Sequence, residues 1–411
     1  MTMLTKIHFI GIGGAGMAPL ASLALNRGIQ ISGSDLESNE KSRQLAAAGA
    51  EIFTGHAAEN VPDDADLIVY SSAVGADNCE RRRGAALGIR QLRRGEFLAE
   101  FAASYRRCVA VTGSHGKSSI TAALVTILRR CGMEPGFMIG AAVQGLPACA
   151  VGDGDIFVTE ADESDGTHTL LKNFLAVVPN VEDDHSWSVG GTAALMANFR
   201  QVAANSDHVI YCSGTGCDEL FAGYPHAQKI TPATGGFAGL TGFQAVNAAI
   251  AAAAAVKLGC DRQQAVAAAA DYPQVARRMN LIRQDENTVV IEDYAHHPTE
   301  VRCAVQFLRT KYPAHHLCLV FQPHRYARLE KYFEAFVTEL TAADSCFILP
   351  VFAAWSESGT VDAPMLAKRC GGVFLPDCSM QSADRVKQDL PRPAVIAVLG
   401  AGDCNGILPL L

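Results

Sequence analysis

The stretch VTGSHGKSS, residues 111–119, constrains the fold of this chain more than any other feature. It follows the apolar run CVAV and precedes a helical pattern over 118–131, which is the order of a phosphate-binding loop, although Val111 stands where such a loop usually begins with glycine. Backbone N–H groups at the start of a helix bind phosphates, a lysine there meets the outer phosphates, and the next hydroxyl ligates Mg²⁺. We therefore predict a nucleoside triphosphate site formed by Gly113, Ser114, His115, Gly116, Lys117, Ser118 and Ser119.

A second glycine-rich loop, GIGGAGM, follows the apolar run of residues 6–10. Uncovered backbone amides at the start of a helix favour a diphosphate, and SGSD at 32–35 ends a second strand, where a dinucleotide fold places an acid on a ribose. The spacing of the glycines is not the strict dinucleotide pattern. These residues alone leave open a site for NAD, a site for another diphosphate, and a purely structural turn.

Short apolar runs alternate with helical stretches along the whole chain, which indicates α/β architecture with parallel sheets covered by helices. A chain of 411 residues is too long for one ordinary core. Breaks near 101–107 and 273–280 predict three domains: a Rossmann-like domain over 1–104, a P-loop ATPase-like domain over 105–276 and a second Rossmann-like domain over 277–411.

Composition excludes several classes of protein. A net charge of −8 argues against nucleic-acid binding, and we interpret the basic run formed by 81–83, 90, 93 and 94 as a solvated helix face. No run of about 18 apolar residues is present, so we expect no membrane span. Thirteen cysteines without a C-x-x-C pair are typical of reduced thiols, so we expect a cytoplasmic protein.

Polar clusters follow several of the apolar runs. In TEADESDG, residues 159–166, Glu160 stands at the strand end and is our candidate Mg²⁺ ligand, with a solvated acidic loop as the alternative. NVEDDHS places His185 at another strand end. DYAHHPTE and FQPHRYAR follow two more strands, where ligand crevices form in open α/β sheets. Arg325 and Arg328 are three residues apart and can bind one carboxylate, or form surface ion pairs.

Taken together and in order, these stretches resemble the Mur ligases of peptidoglycan synthesis, and among them the branch that adds L-alanine to UDP-N-acetylmuramate. The stretches that carry the resemblance span nearly the whole chain: HFIGIGGAGM, SGSD, SSAV, TGSHGKSS, EADESDG, DYAHHPTE, FQPHRYAR, LPVFAA and GAGD. The branch that attaches a tripeptide to the same sugar nucleotide is less similar. The resemblance implies that the first loop holds the diphosphate of a UDP-sugar, which removes the main support for NAD, and that the second loop holds ATP.

The resemblance also implies a reaction and a set of residues. ATP would phosphorylate the lactyl carboxylate of UDP-N-acetylmuramate, and the amine of L-alanine would attack the acyl phosphate. The implied catalytic residues are Lys117, Glu160, His185, His296, Arg325 and Arg328, of which the two arginines would hold the alanine carboxylate. Ser118 and Glu160 would bind one Mg²⁺ and His185 a second. Asn247 and Asp293 would contact ATP, and Tyr294 and His296 the amino acid or phosphates. The UDP-sugar would contact Gly11, Gly13, Gly14, Ala15, Gly16, Met17, Asp35, His56, Ser71, Ser72 and Ala73.

The chain departs from the family pattern in three places. GFQAVNAAIAA replaces the usual GxHNxxNAxAA, so Phe243 and Gln244 stand where His and Asn are usual, and only Asn247 matches. Ser186 and Trp187 follow His185 in place of an Asp. The central domain is shorter by several tens of residues. Four readings stay open: an alanine ligase, a ligase for glycine or serine, a peptide-adding ligase, and a paralogue that binds without ligating. We expect a monomer or homodimer.

Overall fold

The computed structural model describes residues 4–184, 186–214, 216–231, 237, 239–354 and 358–411. They form two compact units, one comprising Met1–Gly239 with Ala245–Pro273 and the other Leu240–Gln244 with Gln274–Leu411. The division after Pro273 falls inside the second predicted break. Helices and strands alternate along the described chain, so the α/β class predicted from the sequence is confirmed.

The first sheet lies in the first unit and is entirely parallel. Its strands are β1 (Lys6–Ile10), β2 (Gln30–Asp35), β3 (Glu51–Thr54), β4 (Leu67–Tyr70) and β5 (Arg90–Arg93), with helices α1 (Met17–Asn26), α2 (Glu40–Ala47), α3 (Cys79–Ala86) and α4 (Arg94–Ala102). The strand order is β3-β2-β1-β4-β5, so the chain reverses direction across the sheet between β1 and β4. The carboxyl ends of strands beside such a switch point form the binding crevice of this fold.

The second sheet, also in the first unit, has seven strands. They are β6 (Arg107–Val111), β7 (Gly136–Met138), β8 (Cys149–Ala150), β9 (Ile156–Glu160), β10 (Asn173–Val178), β11 (Ser206–Cys212) and β12 (Ala227–Ile230), in the order β12-β11-β10-β6-β9-β7-β8. The helices are α5 (Lys117–Arg130), α6 (Ser186–Val189), α7 (Thr192–Ala204), α8 (Asp218–Phe221), α9 (Gly242–Lys257) and α10 (Arg262–Ala269), and the first three residues of α9 belong to the second unit. Because β6 lies between β9 and β10, the loops after these three strands are neighbours.

The two sheets of the first unit share one hydrophobic core. Phe101 of α4 packs on Phe157 of β9 with ring centroids 5.5 Å apart, and Tyr105 stacks on Phe157 at 5.0 Å. Residues of α1 and residues of β6 belong to the same buried cluster. This continuous core explains why the two sheets form one compact unit. The predicted boundary at 104 lies between them and stays a prediction.

The second unit carries a six-stranded sheet. Its strands are β13 (Asn280–Gln284), β14 (Thr288–Asp293), β15 (His316–Phe321), β16 (Ser345–Ile348), β17 (Val373–Phe374) and β18 (Ala394–Leu399), in the order β13-β14-β18-β15-β16-β17. The helices are α11 (Pro298–Lys311), α12 (Tyr326–Lys331), α13 (Phe333–Leu340), α14 (Ala363–Arg369) and α15 (Met380–Lys387). Only β13 pairs in the antiparallel sense among these strands.

None of the helices in the described part of the chain is long and apolar enough to cross a membrane. All thirteen cysteines lie among the described residues, and all are free thiols.

Candidate active site

The loop between β6 and α5 adopts a backbone that two of its glycines make possible. Gly113 has a φ of 134° and Gly116 a φ of 85°, both in the left-handed region. A Cβ atom on Gly113 would lie 2.6 Å from the carbonyl oxygen of Asn180, and one on Gly116 would lie 3.2 Å from Oδ1 of Asn247. The glycines therefore let the loop pass close to two neighbouring segments.

The amide side chain of Asn180, in the loop after β10, holds this phosphate-type loop in place. Its Oδ1 accepts a hydrogen bond from the backbone N–H of His115 at 2.7 Å, and its Nδ2 donates to the carbonyl of His115 at 3.0 Å. The backbone N–H of Glu182 donates to Oγ of Ser114 at 2.8 Å. The prediction from sequence missed Asn180, although its position two residues after the buried strand β10 was the available signal.

Lys117, the first residue of α5, lies beside the acidic loop that follows β9. Its Nζ donates to the carbonyl of Gly113 at 2.7 Å and lies 2.8 Å from Oε2 of Glu163, which is 1% exposed. Burial opposes the charge of Lys117, but the neighbouring carboxylates, Glu163 first among them, outweigh burial and raise the pKa of the lysine. Burial raises the pKa of Glu163 to about 7, against the attraction of Lys117. The sequence prediction did not assign Glu163.

Ser118 and Glu160, the two predicted Mg²⁺ ligands that the structure describes, lie together. Oε2 of Glu160 accepts a hydrogen bond from Oγ of Ser118 at 2.9 Å, and Oε1 accepts one from the backbone N–H of Gly140 at 2.5 Å. A hydroxyl and a carboxylate are the oxygen donors that Mg²⁺ prefers. The donor set fits the ion, and the third predicted ligand, His185, lies outside the described residues.

The acidic loop also meets a second cation of the protein. Arg94, the first residue of α4, forms an ion pair with Asp165 and donates to Oγ1 of Thr167 at 3.1 Å. The basic run that we interpreted as a solvated helix face therefore contains both exposed arginines and arginines with partners in the protein. Arg82 and Arg93 are exposed, whereas the guanidinium of Arg81 lies 3.8 Å above the ring of Tyr70.

Asn247 and Ser119, two further residues predicted for ATP, lie in helices around the loop. Ser119 in α5 is 4% exposed and Asn247 in α9 is 7% exposed. Nδ2 of Asn247 donates to the hydroxyl of Tyr272 at 3.1 Å. Phe243, which replaces the usual histidine, packs on Phe307 in the core of the second unit with ring centroids 5.5 Å apart.

The first glycine loop is tied to the end of β2. The backbone N–H groups of Gly11 and Ile12 both donate to the carbonyl of Ser34, at 2.8 and 3.0 Å. The N–H of Gly13 donates to Oδ2 of Asp35 at 2.8 Å. The predicted acid at the end of β2 therefore binds the loop itself in this structure.

The other residues predicted for the UDP-sugar surround the same loop. A Cβ atom on Gly11, where φ is 79°, would lie 3.2 Å from Cβ of Ser71, so this glycine lets the loop after β1 approach the loop after β4. Ala15, Ser72 and Ala73 are exposed, and Gly14 and Gly16 are half-buried. Met17 begins α1 and is 1% exposed, so its side chain belongs to the core.

A buried carboxylate, Glu80 of α3, lies behind His56. Oγ of Ser34 lies 2.9 Å from Nδ1 of His56 and donates to Oε2 of Glu80 at 2.5 Å. Burial raises a carboxyl pKa, but the neighbouring imidazole of His8 and hydrogen bonds from Ser34 and Asn60 outweigh burial and lower the pKa of Glu80 to about 2. The prediction from sequence missed Glu80, because it precedes the arginines that we read as a solvated face.

In the second unit, Asp293 is the last residue of β14 and is 5% exposed. Its two carboxylate oxygens accept hydrogen bonds from the backbone N–H groups of Met279 at 2.8 Å and Ala295 at 2.7 Å. Burial raises the pKa of Asp293 to about 6, and the charge of Arg278 opposes the shift. In this structure the carboxylate stabilises the backbone around the strand end. The predicted contact with ATP stays a prediction.

The residues predicted to meet the amino acid follow β14 and β15. The rings of Tyr294 and His296 are 5.2 Å apart, and Nδ1 of His296 lies 3.1 Å from Oε2 of Glu300. Arg325 precedes α12 with a φ of 69° and is half-buried, whereas Arg328 is 1% exposed. Nη1 of Arg328 lies 3.2 Å from Nδ1 of His324 and donates to the carbonyl of His324 at 3.3 Å.

Comparison with known proteins decides the family. Residues 6–106 match "Mur ligase family, catalytic domain", and residues 277–402 match "Mur ligase, glutamate ligase domain". The UDP-N-acetylmuramate–L-alanine ligase of Renibacterium salmoninarum is 35% identical over 442 residues, covering 97% of this chain and 94% of that protein. The chain belongs to the Mur ligase family. A ligase of the same name from Aquifex aeolicus is 33% identical, and the alignment covers 98% of this Mur ligase and 96% of the Aquifex protein.

The aligned span of 442 residues is longer than the 411 residues of this Mur ligase, so the Renibacterium protein has residues within the span that this chain lacks. That agrees with the shortening expected from the sequence, and its place in the central domain stays a prediction. Among solved structures, the UDP-N-acetylmuramate-alanine ligase of Thermotoga maritima matches with a TM-score of 0.79 at 24% identity, covering 98% of this chain and 97% of that one. The murein peptide ligase of Psychrobacter arcticus matches with a TM-score of 0.67 at 21% identity, covering 99% and 98%. These likenesses show the fold, which is the three-domain Mur ligase architecture.

Proposed function

We propose that this Mur ligase joins L-alanine to the lactyl carboxylate of UDP-N-acetylmuramate in peptidoglycan precursor synthesis, with ATP as the phosphoryl donor. The observation that carries the proposal is the meeting of Lys117, Ser118 and Glu160 at the adjoining ends of β6 and β9. Charged and hydroxyl groups at the start of a helix, beside a carboxylate, fit a magnesium nucleotide. The full-length relatives bearing the alanine ligase name supply the choice of substrates.

In this proposal ATP lies on the loop of residues 113–118, with its phosphates toward the N–H groups at the start of α5. A lactyl oxygen attacks the γ-phosphorus, the bond to the β-phosphate oxygen breaks, and ADP leaves. Negative charge on the phosphoryl oxygens is greatest in the transition state of the transfer, so the fixed positive charge of Lys117 lowers the activation barrier. Ser118 and Glu160 would hold one Mg²⁺ and His185 a second, and the ions would supply further positive charge for the phosphoryl transfer.

The first glycine loop, with Asp35, His56 and residues 71–73, holds the UDP-sugar in this proposal. Arg325 and Arg328 hold the carboxylate of L-alanine, while Tyr294 and His296 contact the amino acid or the phosphates. Asn247 and Asp293 contact ATP. The amine then attacks the acyl carbon, and the tetrahedral intermediate collapses to the amide and inorganic phosphate. We also propose that the protein is cytoplasmic, which the absence of disulfide bonds among its thirteen cysteines, all of them described residues, supports, and that it is a monomer or homodimer.

The experiment is phosphate release by the purified protein with ATP, Mg²⁺ and UDP-N-acetylmuramate, with no amino acid or with L-alanine, glycine or L-serine. Mass spectrometry of the product identifies the amide. We expect release that depends on L-alanine, and a product heavier by one alanyl residue. A preference for glycine or serine would change the substrate, and nucleotide binding without any amide product would identify a non-ligating relative.

A further inference from the structure

The buried carboxylate of Glu80 connects several segments of the first site. Its Oε1 accepts hydrogen bonds from the backbone N–H of Ala57 at 3.2 Å and from Nδ2 of Asn60 at 2.7 Å. Its Oε2 accepts one from Oγ of Ser34 at 2.5 Å, and Nε2 of His8 lies 3.6 Å from the same oxygen. Glu80 is 0% exposed, so it contacts no ligand itself and can act only through these partners.

The direction of the hydrogen bonds determines which nitrogen of His56 carries a proton. An ionised carboxylate only accepts, so the hydroxyl hydrogen of Ser34 points to Glu80. Oγ of Ser34 then has only lone pairs left for Nδ1 of His56, 2.9 Å away, and Nδ1 must donate. A neutral imidazole has one N–H, so its Nε2 is an acceptor.

This imidazole is next to the first glycine loop. The carbonyl of Ser34 binds the N–H groups of Gly11 and Ile12, while the hydroxyl of the same residue binds His56. The N–H of Gly55 donates to the carbonyl of Asp35 at 2.7 Å, which fixes the segment before His56 to the end of β2. The His56 side chain is 16% exposed, and no group in the described part of the chain hydrogen-bonds to its Nε2.

We infer that Glu80 and Ser34 are positioning residues that hold His56 with its Nε2 as a hydrogen-bond acceptor for the nucleotide part of the bound sugar nucleotide. The inference rests on the proposed function, because it assumes that the first glycine loop binds a uridine diphosphate sugar. A uridine nucleotide has two donors of the required kind, and we consider the imide N–H of its base and the 2′-hydroxyl of its ribose. Either group would donate a hydrogen bond to the lone pair on Nε2 of His56.

The Glu80→Gln variant should reverse the polarity of His56. Ala57 N–H is a fixed donor, so the carbonyl of the glutamine would face it and the NH₂ would face Ser34. Ser34 would then accept from the glutamine and donate to Nδ1 of His56, which moves the imidazole proton to Nε2. Nitrogen-15 spectra of histidine-labelled protein, with the His56 signals assigned by their loss in His56→Gln, should show the Nδ1–H tautomer in the wild type and the Nε2–H tautomer in Glu80→Gln.

Binding of UDP-N-acetylmuramate should change with the tautomer. Replacing an acceptor by a donor at one hydrogen bond weakens binding by about tenfold to a hundredfold. We expect that rise in Kd and in KM for the UDP-sugar for Glu80→Gln, with KM for ATP unchanged. The matched control is Glu59→Gln, which makes the same chemical change at an exposed residue three positions after His56. This variant should behave as the wild type.

The source of the donor is found by comparing UDP, CDP and 2′-deoxy-UDP. Cytosine has no imide N–H. If the base is the donor, CDP should bind the wild type more weakly than UDP does, and this difference in affinity should disappear in His56→Phe. If the ribose is the donor, 2′-deoxy-UDP should bind the wild type more weakly than UDP does, and that difference should disappear in His56→Phe instead. Both results support the inference. His56→Phe also carries the test if Glu80→Gln does not fold, because His56 is partly exposed whereas Glu80 is fully buried.

Three results would overturn the inference: an Nε2–H tautomer in the wild type, UDP-sugar affinity unchanged in a folded Glu80→Gln variant, or no coupling of His56→Phe to either nucleotide change. Failure of the proposed function looks different. A wild-type protein that binds the UDP-sugar through His56 but forms no amide would refute the ligase and leave the inference standing.

Discussion

The Nζ of Lys117 lies 2.8 Å from Oε2 of Glu163, so the lysine predicted to meet the outer phosphates of ATP is paired with a carboxylate that is 1% exposed. Lys117 also donates to the carbonyl of Gly113 in its own loop. The pair keeps the lysine charged and directed at the loop, because an uncompensated buried ammonium is costly. ATP phosphates would provide a second anionic partner at the same ammonium.

Lys117→Ala should lower turnover by at least about a hundredfold, because it removes fixed charge from the transferring phosphoryl group. It should also lower the free energy of unfolding by roughly 1 to 3 kcal/mol, since Glu163 stays buried without its cation. The double variant Lys117→Ala with Glu163→Gln should recover much of that stability and none of the turnover. Urea unfolding and phosphate release measure the two effects, and near-normal turnover of Lys117→Ala would refute the role of this lysine.

Glu160→Gln should raise the Mg²⁺ concentration needed for half-maximal rate by about tenfold or more, since a carboxamide is a weaker ligand for a hard cation than a carboxylate. Initial rates against free Mg²⁺ measure the change. Glu219→Gln is the matched control, because Glu219 is exposed in the same unit. An unchanged Mg²⁺ dependence in Glu160→Gln would remove this residue from the metal site.

Asn180→Ala should raise KM for ATP by about tenfold and leave the Kd for the UDP-sugar unchanged. The reason is that the N–H and the carbonyl of His115 both lose their partner, and the loop loses its fixed shape. Asn180→Asp keeps the acceptor for the His115 N–H but not the donor, so it should fall between the wild type and Asn180→Ala. Equal KM values for ATP in all three proteins would contradict a positioning role.

Glu80 should make stability depend on acidity. Its pKa of about 2 in the folded protein lies below its ordinary value of 4.5, so the unfolded chain takes up the proton first. The stability contributed by ionised Glu80 is therefore fully present above the unfolded value and is lost as the pH falls through about 2. Urea midpoints should fall more steeply on acidification in the wild type than in Glu80→Gln. Parallel curves for the two proteins would contradict this linkage.

The central strands were predictable and several edge strands were not. Runs such as CVAV and AVIAVL are continuous apolar segments because β6 and β18 are covered on both faces. By contrast, β8 has two residues and β12 reads AQKI, so neither carries an apolar run. Both lie at the edges of their sheet, where one side of the strand remains unpaired.

Some residues of the candidate site were predictable from the sequence and others were not. Gly113, Gly116, Lys117 and Ser118 are consecutive parts of one strand-loop-helix motif, so their spacing alone indicates a phosphate site. Asn180 and Glu163 reach that loop because β9 and β10 flank β6, a neighbourhood that depends on strand order. Glu80 lies 46 residues after Ser34 in the chain, beside arginines that suggested a solvated surface.

The sequence by itself determined the α/β class, the positions of the two glycine loops and the family, because apolar periodicity and loop spacing are local properties of the chain. Only the tertiary structure decided which side chains support those loops: Asn180 at His115, Glu163 at Lys117, and Glu80 at His56 through Ser34. Hydrogen bonds between residues far apart in the chain form only after the sheets set their order and register, and no local pattern specifies that arrangement.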